Sequence, residues 1–173
     1  MLSLICLGCR TTADQEDGQR PTYKITFIDT QSQIVGSFES GVSSSNIMNL
    51  KAGEKYHVFY VTRDPGGIQK ARFTYPNAMD VIERMRDDED PPASWVDVSG
   101  GVSSEKTFEY TGNPSNRVDG AAYSITFNAN TSGEQHMISF RSEDYGSGGV
   151  STDGLIRSGQ ITIRYTTNTT GVD

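Results

Sequence analysis

Past residue 9 the chain has no cysteine: of its 173 residues only Cys6 and Cys9 carry a thiol. A domain folded from the remainder has no internal disulfide and depends on buried apolar surface for stability. Long apolar runs are missing as well, since nothing beyond the first nine residues approaches the ~20 residues a membrane-spanning helix requires. Clustered positive charge is also lacking. The net charge is −7, and the nearest pair of arginines, Arg84 and Arg86, runs straight into Asp87, Asp88, Glu89 and Asp90. Affinity for a phosphate backbone rests on grouped Lys and Arg, so no nucleic-acid partner is expected.

Catalytic signatures are equally scarce. There is no Gly-x-Ser-x-Gly elbow, no HExxH, no phosphate-cradling loop and no dinucleotide fingerprint. Acyl transfer needs a nucleophile, a base and an orienting group in reach of one another. The two histidines, His57 and His136, sit in alternating stretches that place them on sheet faces. Asp and Glu are numerous enough to pair by chance, but spacing cannot set two of them ~5–9 Å apart across a sugar. The expectation is no catalytic residue, no metal ligand and no cofactor.

What the chain does have is turn chemistry and alternation. It holds 18 Gly, and only 34% of its residues are apolar. A domain of this length still buries roughly 70% of the surface its unfolded chain exposes. Period-2 alternation predicts strands at Tyr23–Asp29, Lys55–Arg63, Ile68–Tyr75, Lys106–Tyr110, Tyr123–Ala129, His136–Ser142 and Gln160–Thr166, with weaker ones at Ile34–Glu39 and Trp95–Val98. Between them lie DPGG (64–67), TGNPSN (111–116), NTSGEQ (130–135) and DYGSGG (144–149). Pro65 fixes its own φ and Gly66 or Gly67 supplies a positive one, so DPGG reads as a hairpin turn. Met79, Ile82 and Met85 recur at every third residue, which predicts one short helical turn near 79–86, closed by Pro91 and Pro92. Together these give an all-β protein: an antiparallel β-sandwich of about 7–9 strands with at most that one turn of helix. Its apolar face is expected to include Ile25, Phe27, Val58, Tyr60, Ile125, Phe127, Ile138, Phe140, Ile161 and Ile163.

Two stretches carry a family likeness. GEKYHVFYVTRDPGGIQKARFTY (53–75) resembles the B-strand, turn and C-strand of bacterial immunoglobulin-like and PKD-type domains. GEQHMISFRSEDYGSGG (133–149) is similar to their late strand, with Gly133, His136, Ile138, Phe140, Asp144 and Gly146 at the matching positions. The resemblance implies an immunoglobulin-like fold and an extracytoplasmic module for adhesion, recognition or spacing, without catalysis.

The N-terminus resembles a bacterial lipoprotein signal. Leu2 to Leu7 is apolar, Gly8 is small, Cys9 follows, and RTTADQEDGQRP reads as a polar tether. Cys9 is the expected lipid acceptor, with residues 1–8 as a signal-peptide remnant, 9–21 as lipidated Cys and tether, 22–167 as the sandwich and 168–173 as a disordered tail. Cys6 and Cys9 also have CxxC spacing. A structural zinc site would need two further ligands from a chain with no other Cys and two His. A redox pair would need a helix N-terminus in a βαβ setting. Two small residues packed in a first strand remain a further reading.

Other candidates concern binding. Asp64, Asp87, Asp88, Glu89, Asp90, Glu143 and Asp144 offer loop oxygens for calcium, although none follows the EF-hand pattern. Solvated acidic loops explain them equally well. Trp95 and the tyrosines suit a ligand platform, while a lone Trp in such a fold more often lies in the core. The reading is a lipid-anchored module of the bacterial cell envelope, facing out of the cytoplasm, whose partners are the membrane and an envelope protein or glycan. A small carbohydrate-active enzyme using loop carboxylates and a calcium-dependent adhesion module are the alternatives.

Overall fold

In a computed structural model of the protein, residues 19–41, 46–84, 95–101, 103–145, 155–167 and 171–172 are described. Alternation does what it promises in EKYHVFYVTR, where Tyr56, Val58, Tyr60 and Thr62 are buried and the residues between them are not. The described residues form twelve strands: β1 (Thr22–Asp29), β2 (Ile34–Glu39), β3 (Ile47–Lys51), β4 (Glu54–Arg63), β5 (Ile68–Pro76), β6 (Asp80–Arg84), β7 (Val96–Asp97), β8 (Glu105–Thr111), β9 (Gly120–Ala129), β10 (Gln135–Asp144), β11 (Ile156–Thr166) and β12 (Gly171–Val172).

They make two sheets packed face to face, one in the order β2-β1-β4-β9-β6 and the other β12-β3-β11-β10-β5-β8-β7. The protein is thus an all-β sandwich, as expected. All ten residues expected on the apolar face are buried, none more than 4% exposed. An aromatic cluster fills the space between the sheets, with Tyr60 against Phe73 and Phe140, and Tyr123 against Phe108 and Trp95.

Four features differ from the expectation. The sheets are not wholly antiparallel, because β3 runs parallel to β11. The expected helical turn near 79–86 is strand over residues 80–84: β6 pairs with β9, and Val81 opposes Phe127 while Glu83 opposes Thr126. The extra residue, Ile82, is bulged and 44% exposed. The three-residue spacing of Met79 and Ile82 therefore marks no common face, since Met79 is buried and Ile82 is the exposed residue of the bulge. Gly171 and Val172, in the stretch expected as a disordered tail, pair with Asn49 and Met48 as β12.

The DPGG turn is no hairpin. Asp64 Oδ1 accepts the Gly66 N–H, the Asp64 carbonyl accepts the Gly67 N–H, and Gly67 takes the positive φ of 96°. Yet β4 and β5 lie in different sheets. The N–H groups of Asp64 and Ile68 donate to the carbonyls of Asp119 and Val118 rather than to each other. The same turn geometry therefore passes the chain from one layer to the other.

Candidate functional site

The larger sheet buries one set of alternate residues and turns the other outward, and on that outer face two neighbouring cross-strand rows stand out. One runs Glu109, Arg72, Arg141, Ser158 across β8, β5, β10 and β11. The next runs Thr107, Thr74, Ser139, Gln160. Short side chains at Thr74, Ser139 and Ser158 lie among the longer Arg72, Arg141 and Gln160, and the face sinks into a recess of about 490 Å³ that Asn46 also lines. That volume falls in the roughly 300–1,000 Å³ range of small-molecule sites.

The floor is fixed from below. Phe73 and Phe140, directly opposed in the β5–β10 pair, point into the core. Tyr60 of the other sheet packs against both rings and donates its hydroxyl to the Arg141 carbonyl at 3.2 Å. Burial raises the Tyr60 phenol far above its ordinary range, so it stays a neutral donor at any physiological pH.

The charges are layered. Arg72 Nε donates to Glu109 Oε2, with Lys70 Nζ 3.4 Å from the other oxygen, and an Arg141 Nη donates to Glu143 at 3.2 Å. The carboxylate side chains are 14% and 19% exposed, while the arginines are 44% and 45% exposed. The guanidinium groups thus cover the acids and present positive charge to solvent. Burial alone would raise the Glu109 carboxyl, but the hydrogen bond and charge of Arg72, with the charge of Lys70, outweigh it and hold the group below the usual carboxylate range. Like charges directly opposite each other destabilise a sheet. Arg72 and Arg141 are such a pair.

Of the residues singled out from sequence for chemistry, only Glu143 meets the recess, through Arg141. Cys6 and Cys9 lie outside the described residues, as do Asp87 to Asp90. Trp95 is core, 8% exposed and 4.9 Å from the Tyr123 ring, so it forms no platform. His57 lies on the outer face of the smaller sheet with Nδ1 2.8 Å from Thr126 Oγ1. His136 is buried against Tyr165, its Nε2 3.5 Å from Glu134. Asp64 belongs to its turn, Asp144 Oδ1 accepts the Leu155 N–H, and Glu143 is held by Arg141. Among the described residues no three His, Cys, Asp or Glu side chains converge as a metal site. The recess residues were not anticipated. Their alternation in IQKARFTY and HMISFRSED marks them as outward-facing, but which of them stand opposite each other depends on strand pairing.

No protein-family model matches the sequence, and no curated protein does. Solved structures with a similar fold include a non-cellulosomal cohesin from the archaeon Archaeoglobus fulgidus, 14% identical, covering 70% of this chain and 91% of its own, at a TM-score of 0.41. AggA, the major subunit of aggregative adherence fimbriae type I from Escherichia coli, is 11% identical over 88% of this chain and 99% of its own, at 0.42. AvmM, which catalyses macrocyclization in alchivemycin A biosynthesis, is 11% identical over 84% and 89%, at 0.35. Likeness at this level carries no argument about function.

Proposed function

We propose that the chain is a non-catalytic binding module of the bacterial cell envelope, held to a membrane by a lipid on Cys9, and that the recess over β5, β10 and β11 meets its ligand. The recess carries the reading: two exposed arginines opposite each other in the β5–β10 pair, bordered by hydroxyls and amides. These groups bind and orient. The same geometry disfavours a glycoside hydrolase at this position. Its general acid must hold a proton near neutral pH, which takes a raised carboxyl pKa. Glu109 is shifted the opposite way, and Glu143 is tied to Arg141.

Two measurements on the full chain test the reading. Membrane fractionation should find the parent with the membranes and Cys9→Ser in the soluble fraction; equal retention overturns the anchor. Cells displaying the double variant Arg72→Gln/Arg141→Gln should lose binding to envelope material that the parent retains. Undiminished binding overturns the recess as the site.

A further inference from the structure

We infer that the recess takes a carboxylated saccharide, a uronic or nonulosonic acid unit of a glycan, an assignment that rests on the binding-module reading above. Three observations lead there. First, the charge presented is positive although the chain as a whole is −7. Arg72 and Arg141 lie opposite each other, about 5 Å apart at the backbone, and each engages its own acid on a different side. Each guanidinium has five N–H donors, more than one carboxylate can use. An anion seated between them relieves the repulsion of the pair and accepts from both.

Second, the remaining lining is uncharged and rich in hydrogen-bonding groups. Ser139, Ser158 and Thr74 supply hydroxyls and Asn46 and Gln160 supply amides, each able to donate and accept. Sugar hydroxyls need that mixture, whereas a bare inorganic anion has no use for the acceptors.

Third, the recess offers a peptide no apolar anchor. β5 and β10 have strand neighbours on both sides, whereas β11 meets β3 only over Thr162–Thr166, so among the described strands its Ser158–Gln160 stretch is paired with β10 alone. No apolar side chain opens into the recess to anchor a peptide, since Phe140 turns its ring inward. An acidic peptide would find charge here but nothing to hold its apolar side chains.

Titration of the full chain with oligogalacturonate, sialyllactose, a neutral galactan oligosaccharide and polyglutamate tests this. The expected result is saturable binding of at least one of the two carboxylated saccharides, none of the neutral one, and polyglutamate at least about tenfold weaker. Arg141→Gln should weaken the saccharide by about tenfold, the scale of one lost charge-assisted contact. Ser139→Ala/Ser158→Ala should weaken it severalfold while leaving polyglutamate unchanged, an effect that loss of folding would not produce. Polyglutamate bound as tightly as the saccharides, or insensitivity to the serine changes, means the recess reads charge alone and overturns the assignment. Failure of both saccharides overturns it too. In that case, if envelope binding is still lost in the double arginine variant, the binding-module reading stands; if envelope binding persists, both fall.

Discussion

Phe140 packs its ring into the space that Gly159, its cross-strand partner, leaves by having no side chain. A Cβ on Gly159 would sit 2.5 Å from Phe140 Cζ and 3.3 Å from the Tyr23 hydroxyl. The phenyl ring covers the glycine backbone on the core side, while the outer side of the same pair lines the recess. Gly159→Ala is therefore expected to destabilise by about 1–3 kcal/mol, the usual cost of forcing extra volume into a packed core. Adding Phe140→Leu should recover part of that loss. A double-mutant cycle by urea unfolding measures the coupling, and additive effects would show that the two residues do not interfere.

Ser32 closes the β1–β2 turn with φ at +63°, the one non-glycine residue with positive φ among those described. Its N–H donates to the Asp29 carbonyl, and Asp29 Oδ1 accepts the N–H groups of Gln31 and Gln33, so the loop is held in that shape. A left-handed conformation costs an L-residue about 1–2 kcal/mol, partly offset in a glycine variant by greater unfolded-state freedom. Ser32→Gly should stabilise by roughly 0.5 kcal/mol and Ser32→Val should destabilise. Urea midpoints moving in the same direction for both variants would contradict the strain.

Glu109 links the recess to pH. Its carboxyl is held below the ordinary range in the folded state, so the stability it contributes is present above its unfolded pKa and is lost as pH falls through the folded value. Glu109→Gln should cost about 1 kcal/mol at pH 7. The parent should lose that advantage as the pH falls through and below the ordinary carboxylate range, so the two stability profiles converge in acid. Parallel profiles across the acid range would show that the Arg72–Glu109 pair adds nothing.

How much of this was legible follows from what is local. The strongest alternating blocks became strands, and the ten core positions became core, because burial on one face needs no knowledge of partners. β3 was passed over although Met48 and Leu50 alternate, since its buried residues number only two. β6 was disguised by the Ile82 bulge, and β12 is two residues long. DPGG was correct as a turn and wrong as a hairpin, because its local geometry does not say whether the flanking strands pair or cross between layers. The recess was hidden for a similar reason. Arg72 and Arg141 were each visible as outward-facing, but their opposition comes from the register between β5 and β10, two strands far apart in the chain.

Trp95 offers the cleanest check of the core itself, because it is the single tryptophan and its emission reports one place. It enters β7 at the edge of the larger sheet and lies within ring contact of Tyr60, Tyr110 and Tyr123. Only 8% of it is exposed, so its emission should be that of a buried indole and shift to the red on unfolding. Trp95→Ala should cost about 3–5 kcal/mol, the range for removing a large aromatic from a core, and Trp95→Phe distinctly less. The recess lies on the opposite face of the sheet from this cluster. A saturating ligand should therefore leave the Trp95 emission maximum in place and leave its accessibility to iodide unchanged. Protection of Trp95 by ligand would instead put it in the binding site and return it to the role of a platform.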